Sequence, residues 1–131
     1  MNCWCVLLRY IGTGGLECKV SWEYAAGILL NCTFGGIVLT DETVWSVLFQ
    51  TLKTTMTSQH ELTDQTLTFL CGVACNLSLM YKNNVYFEQF RGRDLVIQID
   101  KIKIGSALCC HYVKQTIQNL EKHRRRLRNS A

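Results

Sequence analysis

Proline is absent from this 131-residue sequence. Chains of short strands and extended linkers use proline in their turns, whereas helix interiors exclude it, so its absence favours a stack of helices. Charge is also sparse. Asp, Glu, Lys and Arg make up 18% of the residues and hydrophobic ones 48%, against about 25% charged in an ordinary domain, which excludes a disordered chain. Long apolar runs are missing: none approaches the ~18–20 residues that cross a bilayer. Trp4 to Leu8 is too short for a signal-peptide core and is closed by Arg9 and Tyr10, so neither a membrane span nor a secretory leader is expected. The eight cysteines contain no Cys-x2-Cys pair and no matching Cys/His knuckle, so no metal site is expected. Most lie in apolar runs such as Phe69–Cys75 and read as small buried hydrophobes in a reducing compartment, cytoplasmic or nuclear. Two glycosylation-like triplets, Asn31-Cys32-Thr33 and Asn76-Leu77-Ser78, each end an apolar helical run and read as chance matches.

The net charge of +4 is local. Lys122, Arg124, Arg125, Arg126 and Arg128 lie beyond the last acid, Glu121, and residues 1–121 hold nine basic against ten acidic groups. The chain therefore divides into a near-neutral body, 1–121, and a basic tail, 122–131, that continues the last helix.

Periodicity and breakers predict helices over about 2–11, 17–34, 41–55, 58–81, 84–90, 94–102 and 106–128. Gly12-Thr13-Gly14-Gly15 and Gly35-Gly36 separate the first three, and Gly92 makes a later turn. Thr40 or Asp41 is a candidate N-cap, and Ser58-Gln59-His60-Glu61 has the form of a capping box. From Leu95 to Ile104, β-branched and polar residues alternate, a pattern that suits a strand as well as the helix assigned to it.

An internal repeat organises these helices. Tyr24-Ala25-Ala26-Gly27-Ile28-Leu29-Leu30-Asn31-Cys32-Thr33 aligns with Phe69-Leu70-Cys71-Gly72-Val73-Ala74-Cys75-Asn76-Leu77-Ser78 at an offset of 45 residues. A weaker third copy is read at Ala107-Leu108-Cys109-Cys110-His111, 35 residues on. Glycine at one point of each long helix lets neighbours approach, and a period near 40–47 residues is that of helical-repeat arrays. At these residues the chain resembles the armadillo/HEAT-like α-solenoid family. The two decapeptides look like the ends of third helices, and Asn84–Gly92 looks like a short first helix. The resemblance implies about two and a half units, a fragment or short form of a longer solenoid. It also implies a concave face of third helices on which asparagine holds the backbone of an extended partner. By that resemblance the partner-binding residues are Tyr24, Asn31, Phe69 and Asn76, with His111 at the same place in the weaker copy.

The residues alone leave alternatives. Asn31 and Asn76 could simply end helices, and Tyr24 and Phe69 could be core. No catalytic arrangement emerges: His111 beside Cys109 and Cys110 points to another helix face. The Gly12–Gly15 cluster lacks the Gly-Lys-Ser/Thr ending of a phosphate loop. The expectation is a protein-interaction module without cofactor, metal or catalysis. The alternative is a helical domain whose tail, Lys122 to Arg128, binds nucleic acid or serves as a nuclear-import signal. Met1–Leu8 has no polar face, so the first helix is expected to pack on a further repeat, another protein or a second copy, through Leu7 and Leu8.

Overall fold

The computed structural model of the protein describes residues 3–11, 18–57 and 63–130. Among them the fold is all-α, with seven α-helices and no strand: α1 Cys3–Tyr10, α2 Lys19–Thr33, α3 Glu42–Thr57, α4 Asp64–Ser78, α5 Asn84–Gln89, α6 Gly92–Ile102 and α7 Ala107–Ser130. The glycine cluster at 12–15 and the capping box at 58–61 lie outside the described residues. Thr63 is the N-cap of α4, and its hydroxyl accepts from the Thr66 amide at 3.1 Å. Asp41 accepts from the Thr43 amide at 2.9 Å at the start of α3.

The ambiguous segment resolves as helix α6. Val96 and Ile99, three residues apart, fall on its buried side, while Gln98 and Lys101 face solvent, so a helical stripe satisfies the core without a partner strand. Lys103 ends α6 in the left-handed conformation, φ 56°, and Ile104 turns back into the core. The turn before α6 departs from the expectation for Gly92. Arg91 takes the positive φ, also 56°, and Gly92 opens the helix instead. Its bare Cα lets the Phe49 ring lie where a Cβ would be.

The helices pack in two rows. α2, α4 and α7 form one, α4 in the middle; α1, α3 and α6 form the other. Contacts along the first row run in one direction. Gly27 meets Phe69 and Leu30 meets Gly72, then Thr68 meets Ser106 and Cys71 meets Cys109, so these helices are parallel neighbours. α4 has neighbours on both sides and is buried along almost its whole length, from Thr66 to Ser78. A ring cluster fixes α5 on α3: Trp45 stacks on Tyr86 at 5.3 Å and meets Phe87 edge-on at 5.2 Å, with Phe49 beside Trp45 and Phe87.

Asn83, which the sequence suggests only as a helix breaker, is fully buried. Its amide donates to the carbonyls of Ile37 and Leu77 at 2.6 and 2.9 Å, and its oxygen accepts from the Leu39 amide at 3.0 Å. One side chain thereby holds the 35–40 connection against the end of α4. The two residues expected to carry the N-terminal contact, Leu7 and Leu8, are already covered. Leu8 is buried, Leu7 packs against the core, and the Thr51 hydroxyl of α3 donates to the Leu8 carbonyl. Packing on α3 already uses the side of α1 that was expected to be open.

Candidate partner-binding face

The site is built from one register shared by α2, α4 and α7. Tyr24, Phe69 and Tyr112 occupy equivalent positions, as do Asn31, Asn76 and Asn119, each seven residues after its aromatic. The aromatic of each later helix lies on the helix before it. The Phe69 ring comes within 3.5 Å of where a Cβ on Gly27 would be, and the Tyr112 ring within 3.1 Å of one on Gly72. Glycine in a helix costs about 1 kcal/mol against alanine; at Gly72 it makes room for the Leu30 side chain and the Tyr112 ring, whereas at Gly27 the Phe69 ring stands at ordinary contact distance.

The asparagines tie helix ends together. The Asn76 amide donates to the Thr33 hydroxyl at 3.1 Å and the Leu30 carbonyl at 3.3 Å. Thr33 in turn donates to the carbonyls of Leu29 and Leu30 at 3.0 and 2.9 Å. One step on, the Asn119 amide donates to the Ser78 hydroxyl at 3.0 Å, and Ser78 donates to the Cys75 carbonyl at 2.6 Å. Last-turn carbonyls of a helix lack intrahelical donors, and these contacts supply them. Each Asn-x-Ser/Thr triplet thus reads as a structural unit in which the hydroxyl receives the next helix's asparagine.

The third copy expected at Ala107–His111 therefore sits in another register. The equivalent stretch is Tyr112–Asn119, 43 residues after Phe69–Asn76. Aromatic-x6-Asn repeated at 24/31, 69/76 and 112/119 is the signal that finds it. The glycine pattern misses it because Gln115 stands where Gly27 and Gly72 stand. Of the expected binding residues, Tyr24 and Asn31 are exposed, Phe69 and Asn76 are half-buried, and the Asn76 amide is engaged inside the fold. His111 is exposed but falls out of line with the asparagines. It joins Lys114, Gln118, Lys122 and Arg125, all exposed, in a polar stripe on the outer side of α7.

The tail continues α7 to Ser130 and lies in part against the body. Arg124 faces Glu88 at 3.7 Å, Arg128 faces Glu121 at 3.5 Å, and the Arg126 guanidinium lies 4.1 Å from the centre of the Tyr81 ring. His123, unremarkable in the sequence, places its Nε2 2.7 Å from the Ser78 carbonyl oxygen, and its ring meets Tyr81 edge-on. Among the five basic tail residues, Lys122 and Arg125 are those with an outward-facing position in the polar stripe. A half-open cleft of about 460 Å³ lies between α3 and α6, lined by Phe49, Lys53, Arg91 and Asp94 among others.

All eight cysteines are thiols. Cys71 and Cys109 lie buried with sulfurs 3.6 Å apart. The hydrogen bond with Cys109 and burial together hold the Cys71 thiol well above its ordinary range, while the same contact between the two sulfurs draws Cys109 down. Among the described residues no three His, Cys, Asp or Glu side chains converge as a metal site. No helix among them is long and apolar enough to cross a membrane. Compared with known proteins, the chain matches no family model, no curated relative and no solved structure.

Proposed function

We propose that the protein is a short armadillo-like stack of about two and a half units that binds a segment of a protein partner along the face of α2, α4 and α7. The observation that carries this reading is the aromatic-x6-Asn register on three parallel, adjacent helices. It leaves a continuous strip in which exposed Tyr24 and Leu108 flank half-buried Phe69 and Tyr112, with Gln65 between. Such a strip offers apolar anchor points and polar groups at regular spacing, the chemistry suited to an extended peptide. The four buried thiols, Cys5, Cys71, Cys75 and Cys109, fit a reducing, intracellular compartment, while Cys3 and Cys32 are exposed. Among the described residues no nucleophile, base and orienting group come together, which favours a binding role over catalysis. The rival reading, nucleic-acid binding by the tail, is weakened because Arg124, Arg126 and Arg128 already face Glu88, Tyr81 and Glu121.

Selection of extended peptides against the full chain tests the reading. Tyr24→Ser and Leu108→Ser change exposed side chains and should leave the melt unaltered while weakening the selected peptides about tenfold, the loss of one anchor contact. Peptides indifferent to both changes but lost on Lys122→Glu and Arg125→Glu would move the function to the tail. A salt titration with random duplex DNA separates the classes further, since counterion release gives a steep slope and a peptide groove does not.

A further inference from the structure

Helix α2 holds the same place in the register as α4 and α7, but no described helix precedes it in the row. Three sets of equivalent positions show what that leaves open. Val73 of α4 and Thr116 of α7 are buried beneath the preceding helix, whereas Ile28 of α2 is 50% exposed. Leu77 and Leu120 are buried, and Cys32 is exposed. Phe69 and Tyr112 lie on glycines of the preceding helix, and Tyr24 is 70% exposed. Asn76 and Asn119 reach the hydroxyls of Thr33 and Ser78, and Asn31 stands exposed at the same station. From Tyr24 through Ile28 to Asn31, α2 presents an apolar stripe ending in an amide donor at the stations that α4 and α7 cover, and Val20, 60% exposed, extends it by one turn, where α4 and α7 expose Gln65 and Leu108.

We propose that the outer face of α2 seats one further helix from a partner protein, parallel to α2 and carrying glycine followed six residues later by serine or threonine. The inference rests on the repeat register used above and extends the α2–α4 and α4–α7 interfaces by one step. The occupant's chemistry follows from those interfaces: glycine to receive Tyr24, a hydroxyl near the last turn to receive Asn31, and apolar residues over Ile28. A second copy does not offer this. Its own glycine–hydroxyl pairs, Gly27–Thr33 and Gly72–Ser78, are used inside its stack. Its free end, α7, presents Gln115 and Glu121 at the two stations, and Glu121 faces Arg93 and Arg128.

The probe is a fluorescein-labelled synthetic peptide with the Lys19–Phe34 sequence, which carries its own Gly27 and Thr33. A lactam bridge at its Ser21 and Ala25 positions, away from the contacting side, keeps it helical. Titrated with the full chain, it should bind with a Kd in the range of about 10–300 µM. Ile28→Glu or Asn31→Leu in the protein, or Gly27→Leu in the peptide, should weaken it at least about tenfold, with the protein's circular dichroism unchanged. Absence of saturation by about 1 mM, or binding indifferent to Ile28→Glu and Asn31→Leu, would overturn the proposal. So would a dimer of the chain alone that Ile28→Glu disperses in sedimentation, since the face would then belong to a second copy. Failure of the peptide groove reads out at Leu108 and failure of this seat at Ile28, so the two are separable.

Discussion

Single residues decide how closely the helices approach. A Cβ on Gly72 would lie 2.6 Å from the Leu30 side chain and 3.1 Å from the Tyr112 ring, whereas one on Gly27 meets Phe69 at an ordinary 3.5 Å. The two glycines share a register but tolerate substitution differently. Gly72→Leu should lower stability by about 1–3 kcal/mol through overpacking. Gly27→Ala should raise it, by up to about 1 kcal/mol from helix propensity. Thermal melts of both variants check the contrast, and equal melts for Gly72→Leu and the parent would remove the packing argument. The buried thiols give a second expectation. Cys71, beside the Cys109 sulfur and buried, and Cys75, buried, hold their protons above the ordinary value of 9.0. The unfolded chain loses those protons first, so their contribution is intact below about pH 9 and is lost as pH rises beyond it. Cys109, shifted the other way by its hydrogen bond with Cys71, returns part of that loss. Urea midpoints should therefore fall between pH 8 and pH 10.5, and fall less in a Cys71→Ala, Cys75→Ala variant. A midpoint that rises over that interval would contradict the assignment.

At the scale of elements, helix existence was legible and the joints between helices were not. Val44, Leu48 and Leu52 of α3 recur at helical spacing, and all are buried. The 95–104 segment reads either way because alternation of β-branched residues is a local pattern, and only the core around Val96 and Ile99 settles it. The turn chemistry was hidden because Arg91 and Lys103 adopt the left-handed conformation that favours glycine. The shifted third copy has a plain cause. α7 closes its row among the described helices, so its outer side needs no glycine to admit a neighbour, and the residue that anchors the pattern elsewhere is lost at Gln115. Asn83 shows the same limit of sequence reading, since only the fold brings Ile37, Leu39 and Leu77 to one side chain. Asn83→Ala would strand two carbonyls and an amide, at a cost of about 3 kcal/mol. Denaturant unfolding should show a lower midpoint with an unchanged slope, whereas an unchanged midpoint would mean that water replaces the asparagine.

The whole molecule has two unlike ends. One is the apolar outer face of α2, and the other is the polar stripe of His111, Lys114, Gln118, Lys122 and Arg125 on α7. The basic tail was legible from composition alone, but not its contacts with Glu88 and Tyr81, because those partners come from folding, whereas Glu121 lies two turns before Arg128 on the same helix. The unequal ends also bear on how the protein loses its structure. In a row of helices each member is held by its neighbours, so α4, covered on both sides, should outlast α2, covered on one. Trp4, Trp22 and Trp45 all lie in the first three helices and none lies in α4 to α7. Trp4 and Trp22 thus report on the end at α1 and α2 and Trp45 on the ring cluster with Tyr86 and Phe87, while far-ultraviolet dichroism averages over every helix. The emission curve should shift at lower denaturant than the dichroism curve, and coincident curves would mean that the molecule unfolds as a single cooperative unit.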